Sequence, residues 1–353
     1  MRQLGETDDA GERVADAGLG VDLGLDGEPQ DLEVYDATNG HRNALGEDIS
    51  PHARVVDLTC NRLKTLDPTC VSNLMSLTEV QSLSFRQNLL KDVQGLAALG
   101  SAPVLQRLEL RDNQIEELPR DFSRFTALRY LECSYNHIED MSALETLPSG
   151  NLESLYLAQN RLRQVRGLEP HTELRELELG HNKISSMRGL EHLTNIRELW
   201  LGSNRIPRVD VDLSAFAHLT KLALTSNRLT SMEGLERVTS LEELYVSDNG
   251  ITELCDLSAL QNLRVLDVAA NKLTGLGGVG MLQRLTDLWA NGNAIVDLDG
   301  VEGALEGVKE TLETLYLHGN PFLEDKRQAG SYKLRMTHAF PALVQLDDTL
   351  VHR

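Results

Sequence analysis

Twelve positions along the 353-residue chain carry side chains whose types and spacing could do binding chemistry. In order they are Asp57, Ser84, Glu109, Glu132, Tyr156, Glu178, Trp200, Ala223, Tyr245, Asp267, Trp289 and Tyr316, each the middle residue of an apolar-x-apolar triplet. Five are aromatic, five are acidic and none is basic, although aromatics make up only 4% of the chain and twelve random positions would hold about half of one. Strand propensity alone would supply Thr, Val and Ile just as readily, and none occurs there. The position two residues earlier adds Glu176, Glu198, Glu243 and Asp287, interrupted by Arg107 and Lys221. Carboxylates in such a row can pair with Lys or Arg on a partner, while Trp and Tyr are the flat anchors that interfaces desolvate. Aromatic stripes on a surface mark interfaces.

Catalysis finds no comparable set of residues. No nucleophile stands beside a His in a recognisable arrangement, and no glycine loop could cradle phosphate. The ten histidines are scattered, with His181 and His318 reading as polar surface at strand ends. Glu176 and Glu178 form a carboxylate pair, but such pairs recur by repeat geometry rather than by convergence on a pocket. Cys60, Cys70, Cys133 and Cys255 show neither close spacing nor paired histidines, so structural zinc is not expected. Cys133 replaces an inward leucine in LECSYN and reads as a core thiol. The expectation is a protein-binding face with no enzyme activity, metal or cofactor.

The elements that position this face come from a repeat. Residues 174–206, LRELELGHNKISSMRGLEHLTNIRELWLGSNRI, superimpose on themselves after a slide of 22 residues, with Leu177 on Leu199, Leu179 on Leu201 and Asn182 on Asn204. The unit L-x-x-L-x-L-x-x-N-x-I is a leucine-rich repeat of the short kind. Period two in L-x-L sends both leucines to one face and the middle residue to the other. The Asn ends the strand, where its amide can satisfy turning backbone, and apolar residues at three-residue spacing suit a 3₁₀ or irregular return. The motif Asn falls at 61, 88, 113, 136, 160, 182, 204, 227, 249, 271, 293 and 320. Twelve repeats predict an α/β leucine-rich repeat solenoid: a right-handed arc with a parallel concave sheet and a mostly 3₁₀ or irregular convex side.

Residues 1–50 hold thirteen Asp or Glu against three Arg, and the segment reads as an acidic, disordered tail. Repeats fill 51–320, with amphipathic character around 301–312. Residues 321–353, with a helix expected around Tyr332–Phe340, read as the terminal cap that closes the last repeat's core. The first end must be closed too, with Leu32–Ile49 as the candidate segment. A net charge of −20 repels nucleic-acid phosphates and favours basic protein surfaces. No apolar run approaches a membrane span and no signal peptide is visible, so a soluble, intracellular monomer is expected.

The ordered strand motifs LSFRQN, LECSYN, LYLAQN, LELGHN, LWLGSN, LALTSN, LYVSDN, LDVAAN, LWANGN and LYLHGN, followed by NPFLED and FPALVQLDDTLV, resemble the regulatory subunit 7 family of protein phosphatase 1, nuclear leucine-rich repeat regulators of that phosphatase. The resemblance covers roughly residues 54–352. It implies that the concave face holds the phosphatase catalytic subunit through Glu132, Tyr156, Glu178, Trp200, Asp267, Asp287, Trp289 and Tyr316, with Tyr245 in the same row. Glu132 stands where the family tends to have Asp, and Tyr156 and Trp200 where it has Phe. Also implied are modulation of phosphatase activity, a ternary complex with a small inhibitor subunit, and a nuclear and cytoplasmic location. No basic-x-Val-x-Phe motif occurs, so binding would come from the repeats. An axonemal or ciliary scaffold associated with dynein, and a spliceosomal repeat protein, resemble the repeat length but usually have fewer repeats.

Overall fold

The computed structural model describes residues 33–43, 49–66 and 73–351. Cys70 and residues 1–32 and 44–48 of the tail expected over 1–50 lie outside them. A single sheet runs in chain order through β1 (Val34–Asp36), β2 (Val55–Asp57), β3 (Ser82–Ser84), β4 (Arg107–Glu109), β5 (Tyr130–Glu132), β6 (Ser154–Tyr156), β7 (Glu176–Glu178), β8 (Glu198–Trp200), β9 (Lys221–Ala223), β10 (Glu243–Tyr245), β11 (Val265–Asp267), β12 (Asp287–Trp289), β13 (Thr314–Tyr316), β14 (Gln345–Leu346) and β15 (Thr349–Leu350). Every pairing is parallel except β14–β15. Register follows the repeat: Leu177 pairs with Leu199 and Glu178 with Trp200. The chain is a leucine-rich repeat solenoid, an unclosed arc whose central strand residues, Leu177 and Leu199 among them, are fully buried.

The sheet is longer than the twelve strands expected. One addition, β1, lies inside the stretch read as acidic tail and pairs with β2. It is a degraded repeat with Tyr35 and Ala37 where leucines would stand. The other two, β14 and β15, belong to the cap. Both additions cover edges that would otherwise leave backbone groups of the first and last repeats unpaired.

The strand-end asparagines form a continuous ladder through the core. Asn204 shows the unit: its Nδ2 donates to Leu179 O at 2.9 Å and Leu201 O at 3.0 Å, and its Oδ1 accepts from Ile184 N at 3.0 Å. One side chain thus closes its own turn and ties it to the preceding repeat. The residue before the ladder Asn is left-handed. From Cys60 to Ala270 these ten non-glycine residues sit at φ between 49° and 58°. Each costs about 1 kcal/mol in a conformation that a Cβ disfavours, and the buried amide bonds offset it.

On the convex side, short 3₁₀ turns such as Leu213–Ala215 and Leu257–Ala259 replace helices, each begun by an aspartate (Asp212, Asp256) that accepts from the backbone two residues on. The helix expected around 301–312 spans Leu298–Leu305, continued by a 3₁₀ turn at Glu306–Val308. The cap helix runs Lys326–Ala339, starting six residues before the expected Tyr332 because Asp325 caps it by accepting from Arg327 N at 2.8 Å. Tyr332, Met336 and Phe340 of the cap are buried over the last repeat. In register with Tyr316, Asp347 closes the end of the sheet: its Oδ1 accepts from Leu317 N and His318 N, and its Oδ2 from Tyr332 OH at 2.9 Å. Cys133 is fully buried, and burial pushes its thiol well up.

His171 occupies the convex core position that Leu193 fills one repeat later and is 1% exposed. Its Nε2 donates to Leu144 O at 3.0 Å, leaving Nδ1 as a buried acceptor with no partner. Burial holds its pKa below the ordinary 6.5. The unfolded chain therefore takes up a proton first, and stability is lost as pH falls below that ordinary value. His171→Leu should change stability at pH 8 by no more than about 1.5 kcal/mol, and should remove part of the loss seen at pH 5. Denaturant unfolding at both pH values checks this; an unchanged pH dependence would refute it.

Candidate functional site: the concave face

Because strand side chains alternate, each strand offers the concave side a row of residues while its leucine enters the core. All nine candidate residues lie on this face. They differ in depth. Glu132 is 3% exposed and Asp267 is 5% exposed, so both are buried rather than presented as the sequence suggested. Glu132 accepts from Ser134 N at 2.7 Å, and Asp267 accepts from Ser247 Oγ at 2.5 Å and Ala269 N at 3.0 Å. Burial raises the pKa of each above its ordinary value. Glu178 and Asp287 remain half-buried and reachable.

Glu178 has its pKa pushed up to about 7, first by burial and then by the charge of Glu132, against the opposing pull of Arg111. Asp287 Oδ2 accepts from Thr286 Oγ1 at 2.6 Å.

The aromatic residues are not isolated exposed rings but packed sets. Adjacent strands are about 4.8 Å apart, which puts β8 and β10 roughly 9.6 Å apart, yet the Trp200 and Tyr245 rings stack with centroids 6.3 Å apart and planes at 22°. They lean together over buried Ala223 on the strand between. Tyr245 meets Trp289 at 6.2 Å, and Trp289 meets Tyr316 edge-on at 6.4 Å. Trp289 Nε1 is buried without a hydrogen-bond partner, while Gln345 of the cap donates to Tyr316 OH. A second set joins Tyr156 to Tyr130 at 5.2 Å, with the Arg107 guanidinium 3.5 Å above the Tyr130 ring and paired to Glu109. Tyr156 OH donates to Glu176.

Tyr130 was missed as a site residue because it stands one outward position before the triplet centre; the position two residues before each centre was the signal that could have found it. On that same row Glu198, Lys221 and Glu243 make a bridge, with Lys221 Nζ 3.8 Å from Glu198 and 3.5 Å from Glu243.

Among the described residues no group of His, Cys, Asp or Glu is arranged to hold a metal ion, and no helix is long and apolar enough to cross a membrane. What the face offers is a ring ladder for desolvated contact, with carboxylates beside it for cations.

Residues 78–138 match a family described as "Leucine rich repeat", and 172–218 match "Leucine Rich repeats (2 copies)". Over 139 residues the chain is 39% identical to the "Protein phosphatase 1 regulatory inhibitor subunit PPP1R7 homolog" of Arabidopsis thaliana, covering 38% of this chain and 40% of that protein. Over 120 residues it is 35% identical to "Protein phosphatase 1 regulatory subunit SDS22" of Saccharomyces cerevisiae, covering 33% of this chain and 34% of that protein. These matched stretches span about two fifths and one third of the relatives' lengths. A solved leucine-rich repeat protein of Leptospira interrogans superimposes with a TM-score of 0.69 at 21% identity, covering 86% of this chain and 81% of that one. That likeness concerns the fold alone.

Proposed function

We propose that this leucine-rich repeat chain is a non-catalytic regulatory subunit that holds the catalytic subunit of protein phosphatase 1 on its concave face and modulates its activity. The observation that carries the reading is the Trp200–Tyr245–Trp289–Tyr316 ladder with carboxylates beside it, in a chain similar to two curated proteins named as regulatory subunits of that phosphatase. The rings supply desolvated area, and Glu178 and Asp287 take Lys or Arg from the phosphatase. Buried Glu132 and Asp267 act from below: they hold the turns of their own strands and add to the negative field. A ternary complex with a small inhibitor subunit, and a nuclear and cytoplasmic location, belong to the same proposal.

The test is binding of the purified phosphatase catalytic subunit by calorimetry, alongside melting. Trp289→Ala should weaken binding by about 2–4 kcal/mol, the range for a central aromatic anchor, and cost about 1 kcal/mol of stability through lost ring contacts. Glu178→Ala should weaken binding in a salt-dependent way. Arg188→Ala, on an exposed turn away from the face, should bind normally. Unchanged affinity in both concave variants would overturn the reading.

A partner cation beside Glu178 favours its ionised form, so binding releases a proton. Affinity should therefore rise with pH up to about 7, where free Glu178 is itself ionised, and level off above. Glu178→Gln should flatten that rise.

A further inference from the structure

We propose that Lys221 is an internal occupant of a cation site on the concave face, and that it competes there with an arginine or lysine brought by a partner. Among the two outward positions of each of the nine strands β5–β13, Lys221 is the single Lys or Arg. Its ammonium lies between two carboxylates, 3.8 Å from Glu198 Oε1 and 3.5 Å from Glu243 Oε1. Both distances exceed the roughly 2.7–2.9 Å of a closed charge-assisted hydrogen bond, so the lysine bridges the pair without closing on either member.

Each carboxylate has its other oxygen committed to a ring. Glu198 Oε2 accepts from Trp200 Nε1 at 3.4 Å, and Glu243 Oε2 accepts from Tyr245 OH at 2.7 Å. Those two rings stack over Ala223, two residues after Lys221 on the same strand. The result is a pair of pre-oriented carboxylates whose inward oxygens converge on one point, beside two aromatic faces. A guanidinium fits such a place better than an ammonium, because its planar fork can reach both oxygens and lie along a ring. Lys221 fills the place weakly, neutralises half of its charge, and withdraws along its own flexible stem when a stronger cation arrives. This makes Lys221 a specificity-determining residue that sets how strong a cation must be to enter.

The inference rests on the concave face being the binding surface, but its test does not depend on the phosphatase. The probe is a tetra-arginine peptide, with tetra-lysine and tetra-glutamate for comparison. The readout is tryptophan emission of the full chain in the Trp289→Phe background, where Trp200 is the remaining indole. Lys221→Met should tighten tetra-arginine binding about three- to tenfold at low salt and steepen its salt dependence. Lys221→Arg should weaken it relative to the unsubstituted chain. Tetra-glutamate should bind neither form. Glu243→Gln, which dismantles the site while keeping the lysine, should abolish the gain from Lys221→Met.

Unchanged tetra-arginine affinity in Lys221→Met, with an unaltered melting temperature, overturns the proposal, as does an equal gain for tetra-glutamate. Tighter peptide binding in a chain that fails to bind the phosphatase supports the role of Lys221 and overturns the functional reading instead.

Discussion

Asn204→Ala should cost on the order of 2–4 kcal/mol and broaden or split the unfolding transition. The alanine removes the acceptor used by Ile184 N and one of the two amide donors to each of Leu179 O and Leu201 O, which keep Asn182 and Asn227. The orphaned Ile184 N–H costs about 1–3 kcal/mol, the two carbonyls each lose one of two bonds, and Ser203 at φ 54° loses the bonds that offset its strain. In a stack where each unit touches only its neighbours, the loss falls on one interface, so the two halves of the arc begin to unfold separately. Denaturant titration followed by circular dichroism measures both effects. A single sharp transition displaced by less than about 1 kcal/mol would show that the ladder contributes far less than its geometry implies.

The cap should matter comparably. Removing residues 321–353 uncovers Leu315, Leu317 and Val308, all fully buried in the intact chain. It also strips Leu317 N and His318 N of the Asp347 carboxylate. Such a chain should aggregate or lose cooperative unfolding, because an uncapped solenoid presents core as surface. Asp347→Ala isolates the polar part: with two backbone N–H groups and Tyr332 OH left unpaired, about 2–4 kcal/mol should be lost while the cap stays in place. Light scattering and melting curves read these outcomes. A truncated chain that stays monomeric with an unaltered melting curve would refute the capping role.

Legibility in the sequence followed the chemistry of each position. Leucines at fixed spacing announce buried rows because no other reason makes them recur, and the recurrent Asn announces a buried amide with several partners. Those signals fixed the parallel sheet and the face on which all nine site residues lie. Where the residue type changes, the signal fades: β1 carries Tyr35 and Ala37 for leucines and Gly40 at the ladder position, so it read as tail. Asp347 hid for a similar reason, since an aspartate after the last repeat looks like any surface acid. Depth on the face was illegible for another cause. Period two tells which way Glu132 and Asp267 point but not how deep they lie; Asp267 sits on the strand that the Tyr245–Trp289 pair spans, a lean between strands two apart which no alternation encodes.

The ring ladder also has a mechanical side. It lies on the inner radius of the arc, where any tightening shortens the distance between strands most. With centroids already 6.2–6.4 Å apart along Trp200, Tyr245, Trp289 and Tyr316, the rings meet before the backbone can close further. Carbon surfaces in contact resist compression steeply but part at small cost. The ladder therefore adds resistance to tightening of this part of the solenoid and little to its opening. A small rotation at each repeat, summed along the stack, lets a wide partner seat itself by opening the curve, while a narrow one gains no closer grip.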